Sequence, residues 1–249
     1  MTLVFLHPVG LDGDCWQFLD TSGLGTVVPF TLLWHGDRPQ PEGELTMEAF
    51  ADDVAGNTDG LLDIVGLSLG GSVAQHVALR HPGRVRSILV AASAAGGPAR
   101  PAHLERAATV EARGMAGVVD STLERWFTPE TLARPGAPGV AYARHRLETD
   151  RPASFAATWR ALSKHDTTER LRELTMPVTV LHPTEDSAGG IEPKAAMVER
   201  LPLGRLVVVA GPHMVQLENP AGFRAAIDEH LDWVKSVQRP GRVQGKGAS

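Results

Sequence analysis

An α/β fold, with a mostly parallel sheet of about six strands and a helical segment inserted between the fourth and fifth of them, is what three observations on this 249-residue sequence predict. Short apolar runs rich in β-branched residues recur at 3–6, 27–33, 61–65, 85–91, 178–181 and 206–209. They lack strict alternation with polar residues, the pattern of strands buried on both faces. Helix-like segments separate most of the runs, which favours right-handed crossovers between parallel strands. Between 92 and 175 this alternation breaks off, and helical periodicity continues without a convincing strand. The length fits one large domain with an insertion: a core of 1–95 and 175–237, a helical cap of 96–174 and a flexible tail of 238–249.

The run at 3–6 ends in the loop His7-Pro8-Val9-Gly10, where His7 reads as a structural anchor. The run at 27–33 is followed by a turn at His35-Gly36. The third leads straight into Gly66-Leu67-Ser68-Leu69-Gly70, and a helix over 70–80 follows, stopped by Pro82. In the cap, Thr128-Pro129-Glu130 is a helix start, Val119, Leu123, Trp126 and Phe127 share one face, and Phe155, Trp159 and Leu162 share another. Residues 135–139 form a loop, and Asp166 with Glu169 has capping-box spacing for a short helix leading back to the sheet. Asn219-Pro220 opens the last helix, with Phe223, Ile227 and Leu231 along one side.

The balance of 24 Lys+Arg against 29 Asp+Glu gives a net charge of −5. That offers no single-sign field for nucleic acid or a membrane surface, so neither is expected as a partner. No run approaches the roughly 18 apolar residues of a membrane-spanning helix. The N-terminus lacks the features of a signal peptide, and the single cysteine, Cys15, permits no intramolecular disulfide. A cytoplasmic protein acting on a small molecule is expected. The histidines are scattered without paired ligand spacing and Gly66 to Gly71 lacks the lysine of a phosphate loop, so neither metal nor cofactor is expected.

Ser68 carries the chemistry. Its pentapeptide alone is common in glycine-rich chains, but a strand before it and a helix after it are the context of a nucleophile on a sharp, strained turn. His213, in Gly211-Pro212-His213, lies just past the carboxyl end of the 206–209 run. In a parallel sheet those ends share one edge, so His213 can reach Ser68 as its base. The acid is expected past the 178–181 run, in the order serine, acid, histidine; Asp186 is chosen, with Glu185 and Glu192 as rivals that spacing leaves open. An oxyanion hole takes the amide after the nucleophile, Leu69, and one from the early loop, where Val9 can donate and Pro8 cannot.

Together these residues resemble the α/β-hydrolase superfamily, from Thr2 to about Val234, through the early loop, His35-Gly36, the turn at Ser68, the Asp186 loop and 211–220. The stretches 123–129 and 155–157, with Ala161-Leu162, are similar to the cap of 3-oxoadipate enol-lactone hydrolases. The resemblance implies an α/β-hydrolase fold lacking the usual N-terminal hairpin. One sheet edge is then uncovered, and is expected to be charged, covered by the tail or buried in a homodimer. It implies an ester or lactone hydrolase with Arg125, Trp126 and Trp159 as substrate-binding candidates. Adjacent helical positions face different ways, so only one of Arg125 and Trp126 is expected to point inward. A carbon–carbon bond hydrolase or a cofactor-free haloperoxidase would keep the same three residues, and a non-catalytic binding protein is the alternative of another class. In the acid loop, His182-Pro183 stands where glycine is common, and Ala188-Gly189-Gly190 is longer than the resemblance leads one to expect.

Overall fold

The computed structural model describes residues 2–96 and 100–238. Six strands are present among them: β1 (Thr2–Leu6), β2 (Thr26–Phe30), β3 (Leu62–Leu67), β4 (Val85–Ala91), β5 (Val178–Glu185) and β6 (Gly204–Pro212). Each answers to one of the apolar runs. All pair in parallel, in the order β2-β1-β3-β4-β5-β6. The helices are α1 (Met47–Gly56), α2 (Leu69–Arg80), α3 (Arg100–Arg113), α4 (Val119–Trp126), α5 (Pro129–Leu132), α6 (Pro138–Thr149), α7 (Pro152–Ser163), α8 (Glu192–Arg200), α9 (Val215–Glu218) and α10 (Pro220–Gln238). None is long and apolar enough to cross a membrane. The stretch read as a flexible tail lies, beyond Gln238, outside the described residues.

From β1 the chain moves one way across the sheet to β2 and the other way to β3. The crevice at the carboxyl ends of β1 and β3 is therefore the switch point where a parallel sheet opens a site. One face of the sheet carries Phe5, stacked on Trp16 with ring centroids 5.0 Å apart, and Trp16 stacks in turn on Phe223 of α10. Deeper in, His230 of α10 bonds Thr179 of β5 at 2.8 Å and Ser87 of β4 at 3.0 Å, and Ser87 donates to Asp63 of β3. This buried polar chain fixes how α10 lies across three strands, since every member would be costly to leave unpaired.

Among the described residues β2 is an edge strand, and its Pro29 has no amide to donate to a neighbouring strand. The helix expected to open at Asp166 is instead a 3-10 turn over Thr168–Glu173; Asp166 accepts from the Thr168 amide at 3.0 Å, a tight two-residue bond that starts the turn later.

The cap helices are tied to the core by polar contacts. Asp12, next to the β1 loop, accepts from the Tyr142 hydroxyl at 2.6 Å and pairs with Arg146, both on α6. Arg151 donates to the carbonyls of Trp34, Gly36 and Arg38. Glu218 of α9 accepts from the Thr128 amide at 2.9 Å and the Thr131 hydroxyl at 2.8 Å, capping α5.

Candidate active site

Ser68 stands between β3 and α2 with φ 54° and ψ −114°, a strained conformation for a residue with a side chain. Its amide donates to Ala91 O at 2.8 Å and its carbonyl accepts from Ser72 N at 3.1 Å, so the turn is held from both sides. A Cβ at Gly70 would collide with the Leu6 carbonyl, and one at Gly66 with the Gly70 carbonyl. The turn thus exists only because α2 presses directly on β1 and β3. Gly70→Ala is expected to cost about 3 kcal/mol or more, since neither backbone can retreat; urea unfolding of the purified variant checks it.

A cavity of about 380 Å³ opens above Ser68, and Val9 and His213 also line it. Behind His213, Asp186 Oδ1 lies 2.8 Å from His213 Nδ1, and Asp186 is the carboxylate that the structure brings to the histidine. Glu185 is exposed on the strand end and Glu192 opens α8; neither bonds His213. Burial pushes the Asp186 carboxyl upward, but the hydrogen bond and charge of His213, with the charge and hydrogen bond of Lys194, outweigh it and hold the group below its ordinary range. Among the described residues, no protein acceptor takes the amide of Val9 or of Leu69. Both are at the crevice, one after β1 and the other opening α2.

His7 is fully buried; its Nε2 accepts from Leu32 N at 2.9 Å and its Nδ1 donates to Pro8 O at 2.7 Å. Burial, then the His35 ring, lowers its pKa far below the ordinary value, so it is a neutral tie between the loops after β1 and β2.

The roof of the cavity comes from the cap. Trp126 and Trp159 line it, and so does Arg125, so both members of the adjacent pair reach the cavity. The reason is that α4 ends at Trp126, with its final turn pointed at the site. Two strand-end loops close on that helix end: Ser187 Oγ donates to Arg125 O at 2.9 Å and Met214 N to Trp126 O at 3.1 Å.

Sequence reasoning missed three further contributors. Arg100 and Arg106 of α3 line the same cavity, and Lys194 of α8 reaches the acid loop beneath it. The Arg106 guanidinium lies 4.8 Å from the centre of the Trp159 ring, a cation–π contact. Arg125 is lowered to about 10, chiefly by burial and then by the Arg106 charge; burial also lowers Arg106. Both remain charged at neutral pH. Neither has a carboxylate within ion-pair distance among the described residues, and no Asp or Glu lines the cavity. Burial, then Arg106 and His165, pushes His103 down to about 4, which leaves it neutral beside them. The spacing of Arg100, His103 and Arg106, one helical turn apart, was the available signal for this face. Among the described residues, no group of three His, Cys, Asp or Glu side chains could hold a metal ion.

Comparison with known proteins gives the same outline. The chain is 28% identical to 3-oxoadipate enol-lactonase 1 of Acinetobacter baylyi, over 95% of this chain and 89% of that one. It is 29% identical to the pimeloyl-acyl-carrier-protein methyl ester esterase of Aeromonas hydrophila, over 92% and 94%. The crystal structure of the enol-lactonase from Burkholderia xenovorans superposes with a TM-score of 0.87 at 22% identity, covering 93% of this chain and 91% of the other. A sequence profile described as the alpha/beta hydrolase family matches residues 3–226. With that match spanning both halves of the sheet and the cap between them, the chain belongs to the alpha/beta hydrolase family.

Proposed function

We propose that the protein hydrolyses a carboxylic ester or lactone through an acyl-enzyme on Ser68, and that its substrates carry a carboxylate. The observation that carries the reading is the contact between His213 Nδ1 and the buried Asp186, beside a cavity that His213 shares with a strained Ser68.

In this scheme Asp186 accepts from His213 Nδ1–H, which leaves Nε2 unprotonated and able to take the proton of Ser68 Oγ. Oγ attacks the carbonyl carbon. The oxygen that gains the negative charge is held by the amides of Val9 and Leu69 and favoured by the positive end of α2. Collapse expels the alkoxide, which takes the proton from His213; in a lactone this alcohol stays on the acyl chain. Water, deprotonated by His213, then attacks the acyl-enzyme and releases the acid.

Support for an acidic substrate lies in the cap. Two half-buried guanidiniums facing one cavity repel each other, and a carboxylate between them relieves the repulsion while accepting charge-assisted hydrogen bonds. The names of the relatives, an enol-lactonase and a methyl ester esterase, fit the reaction class.

Arg106→Ala and Arg125→Ala test this reading. Each is expected to lower kcat/KM for a carboxylated lactone or ester by about 10- to 100-fold, the worth of one hydrogen-bonded charge pair, and for an uncharged analogue by no more than about threefold. Steady-state rates on matched substrate pairs decide it. Equal losses on both members of a pair remove the pairing role. Absence of hydrolysis across a broad ester and lactone panel contradicts the reaction class.

A further inference from the structure

Lys194, in the first turn of α8, is buried, with its side chain only 4% exposed. Its Nζ donates to Asp186 Oδ2 at 3.1 Å, to Gly189 O at 2.9 Å and to Gly190 O at 3.1 Å. An ammonium has three N–H donors, and here each has an acceptor. The other carboxylate oxygen, Asp186 Oδ1, accepts from His213 Nδ1 and from Ala188 N at 3.0 Å. The extra length of the loop at 188–190 now has a physical reason: it supplies the two carbonyls that wrap the lysine. Taking an ammonium out of water is unfavourable, and helices begin readily without one. The cradle is built around the charge.

We propose that Lys194 is a positioning residue, which fixes the Asp186 carboxylate towards His213 and, by its charge, resists protonation of that histidine. The inference rests on the reading of Asp186 and His213 as the partners of Ser68. A lone aspartate beside a histidine favours the imidazolium. With an ammonium on its far oxygen the trio is neutral when His213 is neutral and carries +1 when it is protonated, so Lys194 opposes that proton. The base then stays available at lower pH than an unaccompanied Asp–His pair would allow. The cost is a weaker pull on the imidazolium formed during attack, which the fixed geometry offsets.

Other charges face the trio. His182 comes from β5, with its pKa lowered by burial and then by Lys194 itself, and Glu192 comes from the start of α8. From the cap, Arg100, Arg106, Arg125, His103 and His165 line the same cavity. Burial is the main cause that lowers all three rings, His103, His165 and His182, with His103 brought to about 4.

The test is the pH dependence of Ser68 phosphonylation by a fluorophosphonate, for the wild type, Lys194→Met and Lys194→Gln. In that step the Oγ–P bond forms, the P–F bond breaks, fluoride leaves and the serine proton passes through His213 to solvent. Met keeps the stem and removes both charge and donors; Gln keeps a donor and removes the charge. Both variants are expected to move the acidic limb of the rate profile up by about one pH unit, the scale on which a nearby charge shifts a histidine. Met is also expected to slow the plateau by about tenfold or more, as loss of an orienting outer contact does. A purely structural lysine would slow the reaction without moving the limb, so superimposable limbs overturn the proposal. If Lys194→Met does not fold, Lys194→Gln carries the comparison. A wild type that resists the probe overturns the reading of Ser68 instead. The downfield proton resonance of His213 Nδ1–H then decides alone: a shift in Lys194→Gln upholds the coupling, and an unchanged resonance ends it.

Discussion

Ser68→Ala is expected to lower kcat/KM on esters and lactones by about 10⁴-fold or more, because in the proposed mechanism its hydroxyl is the nucleophile and no neighbour can replace it. In the proposed mechanism the remaining rate comes from binding and from the Val9 and Leu69 amides. The same substitution should leave the melting temperature nearly unchanged. The Ser68 side chain makes no capping bond to α2, and alanine meets the same strain at φ 54° as serine. Steady-state kinetics and a thermal melt on one preparation separate the two effects. A loss of rate accompanied by a matching loss of stability would point to damage at the turn and not to a missing nucleophile.

Asp186→Ala should behave in the opposite way, losing both activity and stability. In the proposed mechanism the carboxylate orients His213, so removing it is expected to cost about 10³- to 10⁴-fold in kcat. It also leaves the Lys194 ammonium buried with carbonyls only, and stripping one partner from a buried ion pair costs about 3–5 kcal/mol. Removing both charges, in Asp186→Ala/Lys194→Met, should therefore recover part of that stability, with a clear non-additive coupling in urea unfolding. The pH dependence has a definite sign. The Asp186 carboxyl is held below its ordinary range in the folded state, so its contribution is present above about pH 4 and is lost as pH falls through the folded value. The wild type should lose stability in that acid window, and Asp186→Ala should lose less there.

The sheet was legible because each strand is an apolar, β-branched run buried on both faces, and the chain order alone placed Ser68, Asp186 and His213 past the ends of parallel strands. Choosing Asp186 over Glu185 and Glu192 was a matter of loop geometry that spacing does not contain. Lys194 was invisible for a related reason. Nothing local marks a lysine whose ammonium turns back on a loop several residues earlier, and only the unexplained length of 188–190 hinted at it. The positive roof was hidden by the net charge of −5, an average over the surface that says nothing of a cavity lined by arginines and no carboxylates. Arg125 and Trp126 were judged by the rule that adjacent helical residues diverge, which fails at a helix end where the last turn itself borders the site. The chain from Asp63 through Ser87 to His230 includes a bond between residues 143 apart, and no pattern within one element announces it.

Mass spectrometry of the wild type after exposure to a fluorophosphonate, with Ser68→Ala treated alongside, tests the central claim most directly. The account predicts one adduct, on the peptide that contains Ser68, and none on the variant. No adduct on folded wild type, or an adduct that persists undiminished in Ser68→Ala, would contradict it.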